Sequence, residues 1–335
     1  MPSKSIRSSR ITGTGHYVPD RVLSNFDLEK MVETSDEWIT TRTGIKERRI
    51  AAPEQACSDL ATIASIRALE MAGIKAEDLD AIFMGTISGD MQFPATATLV
   101  QDRIGAVNAV AMDVSAACSG FIYATSVAHG MIASGAMNRV LVIGAELLTK
   151  FVDWEDRSTC VLFGDGAGAA VMEACDIGDG ILATHMKSDG SLAELLCIPG
   201  GGSRRPYDDR TRPDRLQFIK MKGDGVFKFA VRAMADAARI VLDEAGYGIG
   251  DVKYVVPHQA NIRIIDAVAE RLEVPKEKMV VNLDRFGNTS SATIPIAYDE
   301  LARSGKLHTG DLVLFTGFGG GFTWGSILFR HATRS

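Results

Sequence analysis

Residues 68–85, ALEMAGIKAEDLDAIFMG, and residues 241–258, VLDEAGYGIGDVKYVVPH, follow one plan: a helix end, a glycine cap, a polar turn and a short apolar strand. Leu69 and Leu242, Ala72 and Ala245, Gly73 and Gly246, and Asp78 and Asp251 each stand 173 residues apart. A constant offset of about half the chain points to an internal duplication, which restricts the fold to two similar halves. The ends of the halves echo each other as well. FGDGAGAAVMEA (163–174) and GFGGGFTWGSILF (317–329) each set a glycine cluster before an apolar strand, and RVLVIGAE (139–146) and DLVLFTGF (311–318) precede them as apolar runs of strand length. Helical patterns over 57–73, 119–134, 226–245 and 260–272 alternate with these strands, so the expected class is α/β with largely parallel or mixed sheets. The halves divide as 1–175 and 176–335, and residues 186–220, rich in Gly, Arg, Pro and Asp, are read as a looped insertion in the second half.

At 335 residues the chain can bury a large core. Its net charge of −6 gives no footprint for nucleic acid, so any basic partner surface must be local. Cys57, Cys118, Cys160, Cys175 and Cys197 are scattered without a CxxC pair, which fits free thiols in a reducing compartment. The opening MPSKSIRSSR is basic and serine-rich but lacks the apolar core of a secretory signal after it. Residues 114–138 contain no Asp, Glu, Lys or Arg, a length that raises a membrane span. Ser115, Ser119, Ser126, His129, Gly130 and Ser134 interrupt the run, so a helix buried inside a soluble protein is expected. The expected location is cytoplasmic, with neither nucleic acid nor membrane as a partner.

Cys118 lies at the mouth of that uncharged run, in DVSAACSGF (113–121). Phe121, Ile122, Val127, Met131 and Ile132 recur at helical spacing behind it, which places the thiol at or near a helix N-terminus. There the free N–H groups and the macrodipole are expected to favour the thiolate and to lower the thiol from its ordinary value of about 8.5. A buried structural cysteine is the alternative. His258 ends the strand KYVVPH and leads into an amphipathic helix, a junction where α/β proteins place functional groups. Asn288 follows a glycine in GNTSSATIP (287–295), again ahead of a helix, and GFGGGF (317–322) offers backbone N–H groups for an oxyanion hole. Singly, these read as a capping histidine, a turn asparagine and a tight turn. Together, a thiol, an imidazole and a carboxamide at element junctions point to nucleophilic acyl chemistry.

In this order and spacing, DVSAACSGF, VPHQAN, GNTSSA and GFGGGFTWG, with SDEWITTRTGI at 35–45, resemble the β-ketoacyl-acyl carrier protein synthase III family of the thiolase superfamily. The resemblance runs from about residue 8 to residue 331. It implies a thiolase-like five-layer αβαβα sandwich of two similar halves, assembled as a homodimer. It also implies an acyltransferase that starts fatty acid biosynthesis by decarboxylative Claisen condensation. A short acyl-CoA primer, acetyl-CoA first of all, joins malonyl-acyl carrier protein to give a 3-oxoacyl-acyl carrier protein. On the family's pattern Cys118 is the nucleophile, and its own N–H and that of Gly320 hold the carbonyl oxyanion. His258 and Asn288 hydrogen-bond the malonyl thioester oxygen as enolate charge develops. Trp38 and Arg157 match the pair that sandwich the adenine of coenzyme A, with Arg42 near the phosphate end and Asn261 along the pantetheine arm. Stacking suits such flat groups; partial core burial of Trp38 and an ion pair of Arg157 with Asp153 or Asp156 are the plain alternatives. Phe93, before Pro94, matches the residue that limits the acyl pocket from the partner subunit. Carrier-protein docking falls to Lys228, Arg263 and Arg271. Asp266 and Glu270 interrupt that basic face, and Asp224 stands where the family often has Asn, so docking is expected to lean on other basic residues such as Arg232. No cofactor beyond the coenzyme A thioester and no metal is expected.

Three other readings compete. One is a related condensing enzyme that joins acyl-CoAs or loads starter units in secondary metabolism. A hydroxymethylglutaryl-CoA-type synthase needs a positioned carboxylic acid for its aldol-like step, and no Glu stands in a matching motif. A non-catalytic subunit has no need of Cys118, His258 and Asn288 together.

Overall fold

The computed structural model describes residues 7–209 and 212–332, with the side chain of Asp224 also outside the description. Most of the basic, serine-rich start therefore lies outside the described residues. The first half runs β1 (Ser8–Tyr17), β2 (Val22–Ser24), α1 (Asn25–Leu28), α2 (Asp36–Thr43), β3 (Glu47–Arg49), α3 (Cys57–Ala72), β4 (Ala81–Gly85), α4 (Thr96–Ile104), β5 (Val110–Val114), α5 (Gly120–Ala133), β6 (Arg139–Leu147), α6 (Arg157–Cys160) and β7 (Asp165–Cys175). The second continues with β8 (Ile181–Ser188), β9 (Leu196–Cys197), β10 (Lys220–Met221), α7 (Gly223–Ala245), β11 (Val252–Pro257), α8 (Ile262–Leu272), α9 (Leu283–Phe286), α10 (Thr293–Arg303), β12 (Leu312–Gly319) and β13 (Thr323–Arg330). The stretch 189–219 is mostly loop, as its composition foretold.

The duplication is visible strand by strand. One sheet has the order β1-β7-β6-β4-β5 and the other, read from its far edge, β8-β13-β12-β11. In both, the first two pairings are antiparallel and the third is parallel. The offset survives at residue level. α3 and α7 end on Gly73 and Gly246, both left-handed with φ 61° and 74°. The turns Ala76–Asp78 and Ile249–Asp251 follow them, and the turns Ala117–Ser119 and Ser290–Ala292 open α5 and α10 at the same spacing.

Three apolar cores separate five layers. α3 and α4 cover one face of the first sheet, against Ile82, Met84, Leu141 and Ile143. α7 and α8 cover the outer face of the second, against Val255, Leu314 and Leu328. Between the sheets lie α5 and α10, whose Phe121, Ile122, Ile294 and Tyr298 pack against Val140 and Val142 on one side and Val313, Phe315 and Ile327 on the other. Alternate residues of β6 and β12 thus face different cores, as the pleat requires. This central layer explains the uncharged run: α5 is apolar because both its sides are buried. Among the described residues no helix is long and apolar enough to cross a membrane.

One strand reading needs correction. Of the glycines of FGDGAGAAVMEA only Gly164 precedes the strand; Gly166 and Gly168 lie inside β7. A Cβ at Gly168 would sit 2.7 Å from the Pro295 side chain and 2.8 Å from the Ile296 nitrogen, so the bare backbone there lets α10 lie against the sheet. At one edge of that sheet, β5 pairs with β4 on one side only and exposes Val110 and Met112.

Candidate active site

Cys118 occupies the middle of the turn Ala117–Ser119, immediately before α5, and is 7% exposed. His258 follows β11; its N–H donates to the Thr316 carbonyl (2.8 Å), and its Nδ1 lies 2.7 Å from Thr293 Oγ1. Asn288 precedes the matching turn Ser290–Ala292. Its N–H donates to the Leu162 carbonyl and its own carbonyl accepts from the Gly164 N–H. The duplication sets the two turns face to face: a Cβ on Gly120 would lie 3.2 Å from the Cβ of Ser291. Cys118, His258 and Asn288 thereby line one cavity of about 540 Å³. A second cavity of about 380 Å³ meets it at Cys118 and is lined by Leu196, Ile198, Ile219, Ser290 and Gly320 among others.

The electrostatics differ from the sequence expectation at the thiol. Burial pushes Cys118 up to about 12; a Ser290 hydrogen bond opposes that rise and the charge of Glu146 adds to it. Removal from water is the largest influence on the thiol and favours its neutral form, opposite to the direction the sequence led us to expect. Burial also holds His258 down at about 3, which makes its imidazole neutral. The Thr293 hydroxyl has one proton and two acceptors in reach, His258 Nδ1 and the Ser290 carbonyl at 2.9 Å. Donation to Nδ1 would leave the imidazole proton on Nε2, whereas donation to the Ser290 carbonyl would leave it on Nδ1. Asn288 is oriented by its own turn: its Oδ1 accepts from the Ser290 N–H at 2.8 Å, which leaves the NH₂ to donate into the cavity. His258 and Asn288 therefore line the larger cavity beside Cys118 as two neutral groups, the Asn288 NH₂ as a donor.

The glycine-rich end of β12 acts through closeness. A Cβ at Gly319 would lie 2.6 Å from the Cys118 nitrogen and 2.9 Å from that of Ser119, so only glycine lets this backbone seat against the Cys118 amide. Gly320, next along, lines the smaller cavity beside Cys118.

The remaining sequence candidates separate into groups. Ser35 caps α2 by accepting from the Trp38 N–H, and left-handed Gly44 ends the helix. The half-buried Trp38 ring is flanked by Arg42 and Arg157, whose guanidinium carbons lie 5.3 and 5.1 Å from its centroid. Arg157 pairs with neither Asp153 nor Asp156: it donates to the Glu33 carbonyl, while Asp153 binds Arg215 and Lys220 and Asp156 caps α6. Arg42, Asn261, Lys228 and Arg263 line the larger cavity with the thiol. Asn261 also caps α8, and Arg263 lies over Phe227. Arg271 is not brought to the cavity. It sits at the far end of α8, paired with Asp236 at 3.4 Å, and Asp266 is taken up by Lys276. Phe93 is 84% exposed and lines neither cavity of its own chain, so any pocket role needs a second copy.

Three residues escaped the sequence reading: Thr293, Ser290 and Glu146. The 173-residue offset pairs Thr293 with Gly120 and Ser290 with Ala117, so the duplication already marked that turn as the counterpart of the cysteine's. Glu146 was marked by its place, a lone acid at the end of the apolar run RVLVIGAE.

Fold and site together define a condensing acyltransferase of the thiolase fold. The family described as 3-oxoacyl-[acyl-carrier-protein (ACP)] synthase III matches residues 112–190, and its C-terminal part matches 242–331. The beta-ketoacyl-[acyl-carrier-protein] synthase III of Desulfitobacterium hafniense (strain DSM 10664 / DCB-2) is 52% identical over 324 residues, covering 97% of this chain and 98% of that one. That of Xanthomonas euvesicatoria pv. vesicatoria is 53% identical over 323 residues, covering 96% and 98%. The crystal structure of 3-oxoacyl-[acyl-carrier-protein] synthase III from Aquifex aeolicus VF5 superimposes with a TM-score of 0.89 at 52% identity, covering 96% of this chain and all of that one. The priming beta-ketosynthase of the R1128 polyketide pathway gives 0.92 at 36% identity, covering 100% and 99%. The chain belongs to the β-ketoacyl-[acyl-carrier-protein] synthase III family.

Proposed function

We propose that this enzyme condenses a short acyl-CoA primer, acetyl-CoA first, with malonyl-acyl carrier protein and so starts fatty acid biosynthesis. The observation that carries the reading is the single cavity in which Cys118, His258 and Asn288 meet, with Arg42, Asn261, Lys228 and Arg263 on its walls. The sulfur of Cys118 attacks the acyl carbonyl, whose oxyanion is held by the N–H groups of Cys118 and Gly320. Coenzyme A leaves, and the acyl group remains on sulfur. Malonyl thioester then enters, and its carbonyl oxygen takes hydrogen bonds from His258 Nε2 and the Asn288 NH₂ as carbon dioxide departs. Neutral donors suit this step, because enolate charge grows where no competing counter-ion sits. The carbanion attacks the acyl-Cys118 carbonyl and expels the thiolate. Trp38 and Arg157 would part to stack the adenine, Arg42 would face its phosphates, and Asn261 would lie along the pantetheine arm. Lys228 and Arg263, exposed beside the cavity, would receive the acidic carrier, with Arg271 a weaker contributor because Asp236 already holds it.

The open edge of β5 and the exposed Phe93 support a homodimer in which Phe93 closes the partner's acyl pocket. The five free cysteines fit a cytoplasmic setting. Starter loading for a polyketide is the second reading, favoured by the likeness to the R1128 priming synthase. A matrix of acyl-CoA primers against malonyl-acyl carrier protein and malonyl-CoA separates the two. Product from acetyl-CoA with the malonyl carrier supports initiation, and turnover confined to unusual primers removes it.

A further inference from the structure

Glu146 is fully buried at the end of an otherwise apolar strand, and among the described residues no lysine, arginine or histidine pairs with it. Its Oε2 accepts from the Ser88 and Thr86 hydroxyls and the Ile87 N–H, while Oε1 accepts from the Ser290 hydroxyl at 3.0 Å. Ser290 and Cys118 both line the smaller cavity, on the two turns that the duplication sets face to face, and Ser290 is among the groups that lower the Cys118 thiol. Ser290 has a positive φ of 50°, costly for a residue with a side chain, and this conformation is what the tight turn holds. The Ser290 hydroxyl thus stands between the cavity that holds the sulfur and the buried carboxyl group of Glu146. The other buried thiol nearby, Cys57, meets Thr86 instead, 3.6 Å from its hydroxyl.

We propose that Glu146 takes the Cys118 proton through Ser290 as the acyl-enzyme forms, stores it while the thioester stands, and returns it when the thiolate is expelled. The inference rests on the acyl-capture reading above. The need is plain: burial raises the Cys118 thiol, so the neutral group must lose its proton as the sulfur attacks. His258 does not fill that need if its Nε2 carries the proton. Moving the proton also keeps the charge of the buried site constant, because one anion shifts from Glu146 to sulfur and no second anion is created beside the first. In the forward step the Cys118 S–H and the Ser290 O–H break, while new O–H bonds form on Ser290 and Glu146. The freed sulfur pair bonds the acyl carbon, and coenzyme A leaves as a thiolate that takes a proton from water. When the carbanion displaces Cys118, both transfers run backwards and the thiol is restored. Burial raises the Glu146 carboxyl above its ordinary value, outweighing the hydrogen bonds that lower it, which favours keeping the proton once it has arrived.

The test is infrared difference spectroscopy of acetylated minus free enzyme, with acetylation of Cys118 verified by mass. The wild type should gain the C=O stretch of a protonated carboxyl on acetylation, and Glu146→Gln should not. Ser290→Ala, which leaves Glu146 in place, should also lose the band and should acetylate about 10²–10³-fold more slowly. Thermal unfolding checks that each variant folds; if Glu146→Gln does not, Ser290→Ala carries the test. A wild type that acetylates on Cys118 with no new band, or a folded Ser290→Ala that acetylates at the wild-type rate, overturns the relay and leaves the capture reading standing. A wild type that gains no acetyl on Cys118 removes that reading, and the relay with it.

Discussion

Replacing Gly319 by alanine tests how finely the end of β12 sets the nucleophile. The new methyl carbon would lie 2.6 Å from the Cys118 nitrogen, 2.9 Å from the Ser119 nitrogen and 3.0 Å from the Ala116 carbonyl, whereas ordinary contact begins near 3.4 Å. All three obstacles are backbone atoms, so no flexible side chain can yield. One backbone must retreat by about 0.8 Å, close to the displacement of about 1 Å that costs an active site roughly 10²-fold in rate. Overpacking of this kind typically destabilises by about 1–3 kcal/mol. Gly130 is the internal control. It is exposed in the middle of α5, a Cβ there meets nothing within 4 Å, and alanine should stabilise the helix by up to about 1 kcal/mol. Rapid-quench mass spectrometry gives the rate of acetyl-enzyme formation, and urea unfolding gives stability. Gly319→Ala should acetylate about 10²-fold more slowly while still folding, and Gly130→Ala should keep the wild-type rate. A Gly319→Ala enzyme that acetylates normally would show that this strand end does not position the Cys118 amide.

Other consequences follow from the same geometry. Trp38→Ala should raise the KM for acetyl-CoA about 10–100-fold, the usual worth of one base–aromatic stack, and leave capture from a truncated acetyl-pantetheine unchanged; an equal loss with both substrates would move Trp38 out of the nucleotide site. Phe93→Ala should widen primer use toward longer or branched acyl-CoAs while acetyl use survives, and unchanged selectivity would remove Phe93 from the pocket. The His258 imidazole stays neutral in the fold down to about pH 3, whereas the unfolded chain protonates it near 6.5. Its contribution to stability is therefore intact above pH 6.5 and is lost as pH falls toward 3, at up to about 1.4 kcal/mol per pH unit. His129 and His331 are shifted in the same direction. His258→Gln should accordingly reduce the acid slope by one proton, measured by denaturant titration between pH 7 and 4, and an unchanged slope would mean that His258 is charged in the native state.

Most of the architecture was written locally. Glycine caps after α3 and α7, aspartates in the turns behind them and apolar runs of strand length carry the duplication in residue types that only certain backbones tolerate, and the structure repeats them at the same offset. Cys118, His258 and Asn288 were legible for the same reason, since each marks an element junction. What depends on distant chain was not. The thiol stands high chiefly because the fold removes it from water, with the charge of Glu146 on β6 adding to the rise, and DVSAACSGF encodes neither. Gly166 and Gly168 read as a cluster ahead of a strand because the helix they make room for, α10, lies more than a hundred residues on. Arg271 read as one basic face with Arg263, yet a helix of eleven residues carries them to opposite ends, and Asp236 of α7 claims the second.

The central claim, that Cys118 captures the acyl group while His258 and Asn288 serve the malonyl step, is tested most directly by measuring two quantities together. These are the mass gained on mixing with acetyl-CoA, mapped to a peptide, and carbon dioxide release from malonyl-acyl carrier protein. The wild type should gain one acetyl group on Cys118, and Cys118→Ala none. His258→Ala and Asn288→Ala should still be acetylated but release carbon dioxide about 10²–10³-fold more slowly. Acetylation lost in His258→Ala as completely as in Cys118→Ala, or carbon dioxide released at the wild-type rate by Asn288→Ala, would contradict that division of labour.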